Sequence, residues 1–508
     1  MAVEDNQPTS MKANRHLEHS VQVENVDPEK HDGTYITTPV VLSNYASMSS
    51  GACIKKFWRL FCTGTLTSVG AMYYGYTLSA VGSIIANQGF IDYFATVTDP
   101  TTGLPALDAQ HSIVLSIVAT NWVILLLAKF AGGFAGGLLS TSIMIYMSEI
   151  AMPQFRGALL SSFSLFLALG QTFTAVGLKV LDVTTPLKFR NIFYSEFVFL
   201  GLWMIPMLYL PESPVWLATK GRHDKAKKAL RRLIGNVHAY DVDHEYAVIK
   251  YEVESSQELS MKHSSKSEWR SLLTKVNMKR TIIATLPLTF QNFVGVPLIF
   301  NYTTYFFSLA GVADPFLGSI IIQLVLLLGI VLGLYLVDLA GRRQLVLYGG
   351  GSMGVLTAII GGLGFMEISS SSGTALVALC AIWAFIYAVT LAPIGWVSLV
   401  EVSTPMLRAK ATSIAAIIQT LTGILFTYTV PLMLSDQQAG WGQKTGLFFS
   451  GITYLFLIAC IFLFPETKGR TYQELDELFA SGIPAWKFAT TKTTHQNSLD
   501  LHQGQGGA

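Results

Sequence analysis

Ten long, predominantly apolar stretches recur along the chain, at about 57–86, 114–146, 158–176, 191–210, 281–309, 315–337, 344–364, 374–399, 411–434 and 446–464. Wound as an α-helix, about 20 residues span the roughly 30 Å hydrocarbon core of a bilayer. Lipid offers no partner to a backbone N–H or C=O, so each stretch must satisfy its own backbone as a helix. The fold expected is all-α, a polytopic transmembrane helical bundle. Composition agrees, since only 13% of the 508 residues are charged and 51% are hydrophobic, against roughly 25% charged in soluble domains. Membrane lipid is therefore an expected partner. The net charge of +2 creates no basic field that would gather nucleic acid. Cys53, Cys62, Cys380 and Cys460 show no CxxC spacing and read as packing residues rather than zinc ligands or a disulfide framework. No Ser/His/Asp or metal-ligand set converges on one span face, so neither an enzyme nor a cofactor is expected, and no metal.

Lys and Arg set the orientation, because cytoplasmic loops hold their excess. The segment 211–280 is rich in them (Lys220, Arg222, Lys225, Lys227, Lys228, Arg231, Arg232), whereas 87–111 has neither. The first segment is therefore expected inside, the second outside, and both termini in the cytoplasm. The expected organisation is a disordered N-terminal tail over 1–56, an N-terminal bundle of about four spans over 57–210, a central cytoplasmic loop over 211–280, a C-terminal bundle of six spans over 281–464 and a cytoplasmic tail over 465–508. From about 482 onward that tail has the polar, Gly- and Gln-rich character of a disordered segment.

Two stretches, PESPVWLATKGRHDKA from Pro211 and PETKGRTYQELDELF from Pro465, close the two halves in corresponding places. Both resemble the sugar-porter branch of the major facilitator superfamily. Three further stretches agree: YMSEIAMPQFRG with Glu149 and Arg156, VDLAGRRQ with Asp338, Arg342 and Arg343, and VEVSTPMLRAK with Glu401 and Arg408. The resemblance covers roughly 57–480 and implies the major facilitator fold, a small sugar or related polyol as substrate, and alternating access in a cell membrane, with a monomer as the expectation. It also implies a cytoplasmic gate of Glu149, Arg156, Glu212, Asp338, Arg342, Arg343, Glu401, Arg408 and Glu466, whose ion pairs form in one state and separate in the other. The plain alternative is a charged rim that snorkels at the helix ends.

In the fifth stretch, LTFQNFVGVPLIFNYTTYFF aligns with the family's sugar-contact motif at Gln291, Asn292 and Gly295, with Pro297 where the family has Asn. An amide offers donor and acceptor together, which suits vicinal hydroxyls. Interhelical hydrogen bonding is the competing role for both side chains. Trp396 could stack on a pyranose or serve as packing, and Ser164 stands where many relatives have a sugar-binding Gln.

The chain departs from that pattern in two ways. Family members have twelve spans and this chain shows about ten, with the second span, its cytoplasmic turn and most of the third missing after His111. Family symporters also carry an Asp after Gly-Tyr in the first span, where this chain reads YYGYT with Thr77, and an Arg where it has Lys129. Thr77 cannot carry a proton at ordinary pH, so facilitated diffusion or a relocated proton site is expected. A carrier that no longer transports and a non-transporting nutrient sensor are the other readings. YGGGSMG lacks the end of a phosphate loop, and the Asn301-Tyr302-Thr303 acceptor lies within a span.

Overall fold

The computed structural model describes residues 43–491 apart from 46–47, 85, 95–96, 99–104, 107–121, 153, 239, 263–271, 273, 368, 404–406, 436–437, 469 and 471. Its architecture is helical. The first stretch is built from α2 (Trp58–Thr67) and α3 (Val69–Ile84), preceded by α1 (Ser50–Lys56), with breaks at Phe57 and Ser68. The Ser68 hydroxyl bonds that of Ser162 at 2.7 Å. After α4 (Gln88–Phe94) comes a two-residue antiparallel ribbon, β1 (Val97–Thr98) with β2 (Pro105–Ala106). Three long helices follow, α5 (Trp122–Ile150), α6 (Arg156–Thr184) and α7 (Asn191–Met207).

The central segment forms α8 (Pro214–Thr219), α9 (His223–Ile234) and α10 (Val242–Lys262). Its first helix starts where the sequence directs: Ser213 accepts from the Trp216 N–H at 3.3 Å and Pro214 follows with its φ already helical. The second half opens with α11 (Lys275–Phe293), a π-helical turn (Pro297–Asn301) and α12 (Thr303–Leu309). Gly295, at φ +106°, sits in the left-handed region that a side chain resists, and it permits the irregular turn before Pro297. Then come α13 (Pro315–Leu339), α14 (Arg342–Leu363), α15 (Ser370–Val389), α16 (Leu391–Val402), α17 (Arg408–Leu434), α18 (Thr445–Leu463) and α19 (Tyr472–Ala480).

Seven helical stretches among the described residues are long and apolar enough to cross a membrane, and Asn191–Met207 is a shorter apolar helix. Each of the eight falls in one of the ten expected stretches. The other two are the composites, α2–α3 and α11–α12. Backbone meets backbone where α3 crosses α6: a Cβ on Gly75 would lie 2.0 Å from the Leu167 carbonyl oxygen, and one on Gly170 2.0 Å from that of Met72. Without a hydrophobic drive between helices in lipid, such small-residue contact is what lets them pack closely. Helix α5 is packed least of the seven, with 17% of its apolar stretch buried, and an added Cβ at Gly132, Gly133 or Gly137 would touch nothing within 4 Å. Phe130, Phe134 and Leu138 project from the same helix into the surroundings.

The expectation of disorder through residue 56 is corrected over 43–56. Tyr45 is buried, stacked on Tyr240 at 5.7 Å and edge-on to Phe57 at 5.1 Å, and its carbonyl accepts from Gln154 Nε2 at 2.8 Å. Residues 50–56 are helical because Cys53 is fully buried in the same cluster. The expected disorder from 482 is likewise corrected over 483–491: Phe488 is buried against Phe479 at 5.0 Å, and Arg470 donates to the carbonyls of Phe488 and Thr491 at 2.8 and 2.7 Å. Isolated polar composition hid both aromatic anchors. Residues 1–42 and 492–508 lie outside the described residues.

Candidate functional site

Charged side chains collect at the end of the bundle where α14 begins. Glu466, just past α18, accepts through one carboxylate oxygen from the Arg342 N–H at 2.9 Å and through the other from the Arg343 N–H at 3.1 Å. The anion thus occupies the N-terminus of α14, where unsatisfied N–H groups and the helix dipole favour it. The Arg342 guanidinium reaches Glu401 of α16 at 3.0 Å, and Thr467 donates to the other Glu401 oxygen at 2.5 Å. Arg343 donates to the carbonyls of Phe464 and Ile461, closing off the C-terminus of α18. Gly341 is small by necessity, since a Cβ there would lie 2.2 Å from a Glu466 oxygen.

The structure therefore brings together Arg342, Arg343, Glu401 and Glu466, all from the second half. The side chains of Asp338 and Arg408 lie outside the described residues, although α13 and α17 carry their backbones there. Glu149, Arg156 and Glu212 form no ion pair among the described residues. Arg156 reaches only the Ala151 carbonyl, at 3.5 Å. Sequence reasoning missed Arg280, which is buried, donates to the Val402 carbonyl and stacks over the Phe479 ring at 5.0 Å. Its only signal was a basic pair, Lys279 and Arg280, just before an apolar run.

At the other end, Lys179 of α6 meets Asp314, the residue before α13, at 2.6 Å. Asp314 also caps its helix, accepting from the Leu317 N–H at 3.0 Å. Burial pushes its carboxyl up, but the Lys179 ammonium and the Leu317 and Phe316 N–H groups outweigh that and hold it below the usual carboxylate value. This bridge joins the two halves.

Between these ends lie uncharged polar groups. Gln291 is buried on α11, donating to the Leu391 carbonyl at 3.0 Å and the Ala392 carbonyl at 3.4 Å, and accepting from the Tyr387 hydroxyl at 3.3 Å. Asn292 donates to Thr422 Oγ1 at 2.7 Å and to the Gln419 carbonyl at 3.0 Å. Each amide nitrogen is engaged with a neighbouring helix, so in this state the two side chains can accept from a ligand hydroxyl but donate only by breaking existing bonds. The two residues tie α11 to α16 and α17 respectively. Ser164 is half-buried on α6. The Trp396 side chain and that of Lys129 lie outside the described residues. Tyr387, missed in the sequence, stacks on Trp383 with ring centroids 5.6 Å apart, and a tyrosine in an apolar span was the available signal because its hydroxyl needs a partner.

Comparison with known proteins gives these arrangements a context. The family model described as sugar (and other) transporter matches residues 110–479. The general alpha-glucoside permease of Saccharomyces cerevisiae is 31% identical over 380 residues, which are 72% of this chain and 61% of the permease. The chain thus spans less than two thirds of that relative's length. The MFS transporter fmqE of Aspergillus fumigatus is 28% identical, over 82% of this chain and 77% of its own. Among solved structures, the proton:xylose symporter XylE bound to 6-bromo-6-deoxy-D-glucose superposes with a TM-score of 0.57 at 21% identity, covering 86% of this chain and 91% of XylE. At that identity the likeness shows the fold, which is that of the major facilitator superfamily.

Proposed function

From the premise that this chain belongs to the sugar (and other) transporter family, we propose that it carries an uncharged sugar or related polyol across a cell membrane by alternating access. The observation that carries the reading is the distribution of charge. Ion pairs gather at one end of the bundle, a separate bridge joins the halves at the other, and amides and hydroxyls occupy the depth between them.

In this reading the α14 end faces the cytoplasm, because the Lys- and Arg-rich segment 211–280 lies on that side. Both termini are then cytoplasmic, and the Lys179–Asp314 bridge lies outside. Arg342, Arg343, Glu401 and Glu466 form the inner gate of the second half, to which Asp338 and Arg408 belong, with Glu149, Arg156 and Glu212 its counterpart in the first. Gln291, Asn292, Ser164 and Trp396 serve the substrate. An amide carbonyl with a free lone pair can accept a sugar hydroxyl without a charge to desolvate, which fits a neutral solute. Carriers of this type bind near the bilayer midplane between their halves, and the protein works as a monomer.

The test is uptake of radiolabelled maltose and D-glucose into proteoliposomes holding the purified full-length chain. Saturable uptake of at least one of them, competed by its D but not its L stereoisomer or by an unlabelled excess of the same sugar, is expected. No uptake and no counterflow across a panel of hexoses, pentoses, disaccharides and polyols would overturn the reading.

A further inference from the structure

Gln323 is a buried amide that neither the charged gate nor the Gln291–Asn292 pair uses. It lies on α13, 3% exposed, and its Oε1 is buried with no hydrogen-bond partner among the described residues. An unmade bond of this kind is expensive for a buried acceptor, and in a membrane-spanning helix a costly polar residue marks function. Helical spacing puts Gln323 in the middle of the stripe Phe316, Ser319, Leu326 and Ile330, all buried. The opposite face of α13, with Leu317, Leu324 and Leu328, is exposed.

Depth follows from the bridge at the end of the helix. Helices α6 and α13 pack against one another, and Lys179–Asp314 fixes their register. Counting inward at about 1.5 Å per residue, Gln323 lies roughly 13 Å below Asp314 and Gln171 of α6 roughly 12 Å below Lys179. Two buried amides on facing helices, one from each half, thus share a level deep in the bundle. Ser164 stands two turns further along the same stripe of α6. The helices around that level place Ala168, Ile322 and Leu326 in one continuous apolar cluster.

We propose that Gln323 is a specificity-determining residue that accepts a hydrogen bond from a substrate hydroxyl, from a different helix than Gln291 and Asn292. The inference rests on the sugar-carrier reading and assigns to that site a residue that the sequence motifs do not reach. Its bond is made only with substrate bound, so the orphaned acceptor of the empty protein is relieved by a hydroxyl and left unrelieved by an analogue lacking it.

The experiment compares the wild-type chain with Gln323→Met, which keeps length and removes both hydrogen-bonding atoms, and with Gln323→Asn, which shortens the reach. Uptake of maltose and D-glucose is measured together with a set of monodeoxy-D-glucoses as competitors, and thermal unfolding in detergent is recorded with and without sugar. Expected for Gln323→Met is a KM raised about tenfold, no loss of unfolding temperature without sugar, a smaller stabilisation by sugar, and lost discrimination against one monodeoxy competitor. Gln323→Asn should fall between. Unchanged KM and unchanged deoxy-sugar ranking in a wild type that transports would overturn the inference while leaving the carrier reading intact. A lowered unfolding temperature with equal losses for every competitor would also overturn it, as a purely structural amide. Absence of transport by the wild type would instead sink the carrier reading on which it stands.

Discussion

The Glu466 carboxylate accepts from the Arg342 backbone N–H at 2.9 Å, while the Arg342 guanidinium turns away to Glu401 at 3.0 Å. One residue thus takes part in two electrostatic contacts of different kinds, an anion on a helix N-terminus and an ion pair between helices. They can be separated by mutation. Glu466→Gln keeps an acceptor and loses the charge, and should lower stability by about 0.3–1 kcal/mol. Glu466→Ala also exposes two N–H groups and should lower it by about 0.5–2 kcal/mol. Arg342→Met should leave the helix start intact and free Glu401. Unfolding curves in detergent that rank Glu466→Gln below Glu466→Ala in stability would contradict the capping role.

The bridge at the far end makes a different prediction. Lys179 and Asp314 come from different halves, and the 2.6 Å contact is half-exposed, so its worth is modest, about 0.2–1 kcal/mol. Even that is enough to move a closely balanced two-state equilibrium severalfold. Asp314→Asn retains a side-chain oxygen for the Leu317 N–H and removes the charge. It should open this end, read as faster labelling of a cysteine introduced on α6 below Lys179. Lys179→Met should match it, and the double variant should add nothing. Additive effects would exclude a shared contact.

The pH dependence of that bridge has a definite sign. Because the folded Asp314 carboxyl lies below its usual value, its stabilising contribution is fully present above the unfolded value of about 3.9 and is lost as pH falls through the lower folded value. The bridge should therefore stay closed throughout mildly acid conditions. Labelling of the same cysteine should be flat between about pH 5 and pH 7, and a rise within that window that vanishes in Asp314→Asn would show the carboxyl to titrate higher than its surroundings dictate.

How much of this was legible in the sequence follows from what each feature depends on. The helices were readable because apolar length alone forces them in lipid. Arg342, Arg343, Glu401 and Glu466 were readable as a group because each belongs to a compact acid–base motif, and the structure draws them into one cluster. Their contact pattern was not, since Glu466 binds backbone N–H groups that no motif displays. Gln291 shows the limit most clearly. Its amide nitrogen bonds the Leu391 and Ala392 carbonyls, just past the interruption at Thr390 that separates α15 from α16. A helix break between two apolar helices leaves little trace in an apolar sequence. Gly395 makes room for that contact, because a Cβ there would lie 2.4 Å from Gln291 Nε2.

This yields a prediction for Gly395. The added methyl of Gly395→Ala meets the far end of a flexible side chain, so the amide should swing aside rather than the helix move. Loss of the interhelical bonds should cost about 0.6–1.7 kcal/mol, while KM for sugar changes more than that loss alone requires if the displaced amide also meets substrate. Tyr387→Phe, which removes only the donor to Gln291 Oε1, should have the smaller effect on stability. A Gly395→Ala protein with unaltered stability and KM would show that Gln291 adapts freely and is not held in place.

The last prediction concerns energy coupling. A symporter needs a carboxylate whose protonation favours one state over the other, since a ligand shifts an equilibrium only by its differential affinity. No Asp or Glu occurs from 57 to 86, and Thr77 spends its hydroxyl on the Tyr73 carbonyl at 3.1 Å. An aliphatic hydroxyl does not ionise at ordinary pH, so Thr77 cannot serve as that carboxylate does. Sugar entering proteoliposomes should therefore equilibrate without being concentrated, and a protonophore should change nothing. Among the described residues two acids remain in the long apolar helices of this half away from the gate: Asp182, in the last turn of α6, and Glu196 on α7, beside Ser195, whose hydroxyl bonds Tyr76 of α3 at 2.6 Å. If sugar accumulates well above its outside concentration and a protonophore abolishes it, the inference from Thr77 fails. Glu196→Gln then locates the lever: loss of accumulation with retained equilibration would place the proton on Glu196, and full accumulation would exclude it.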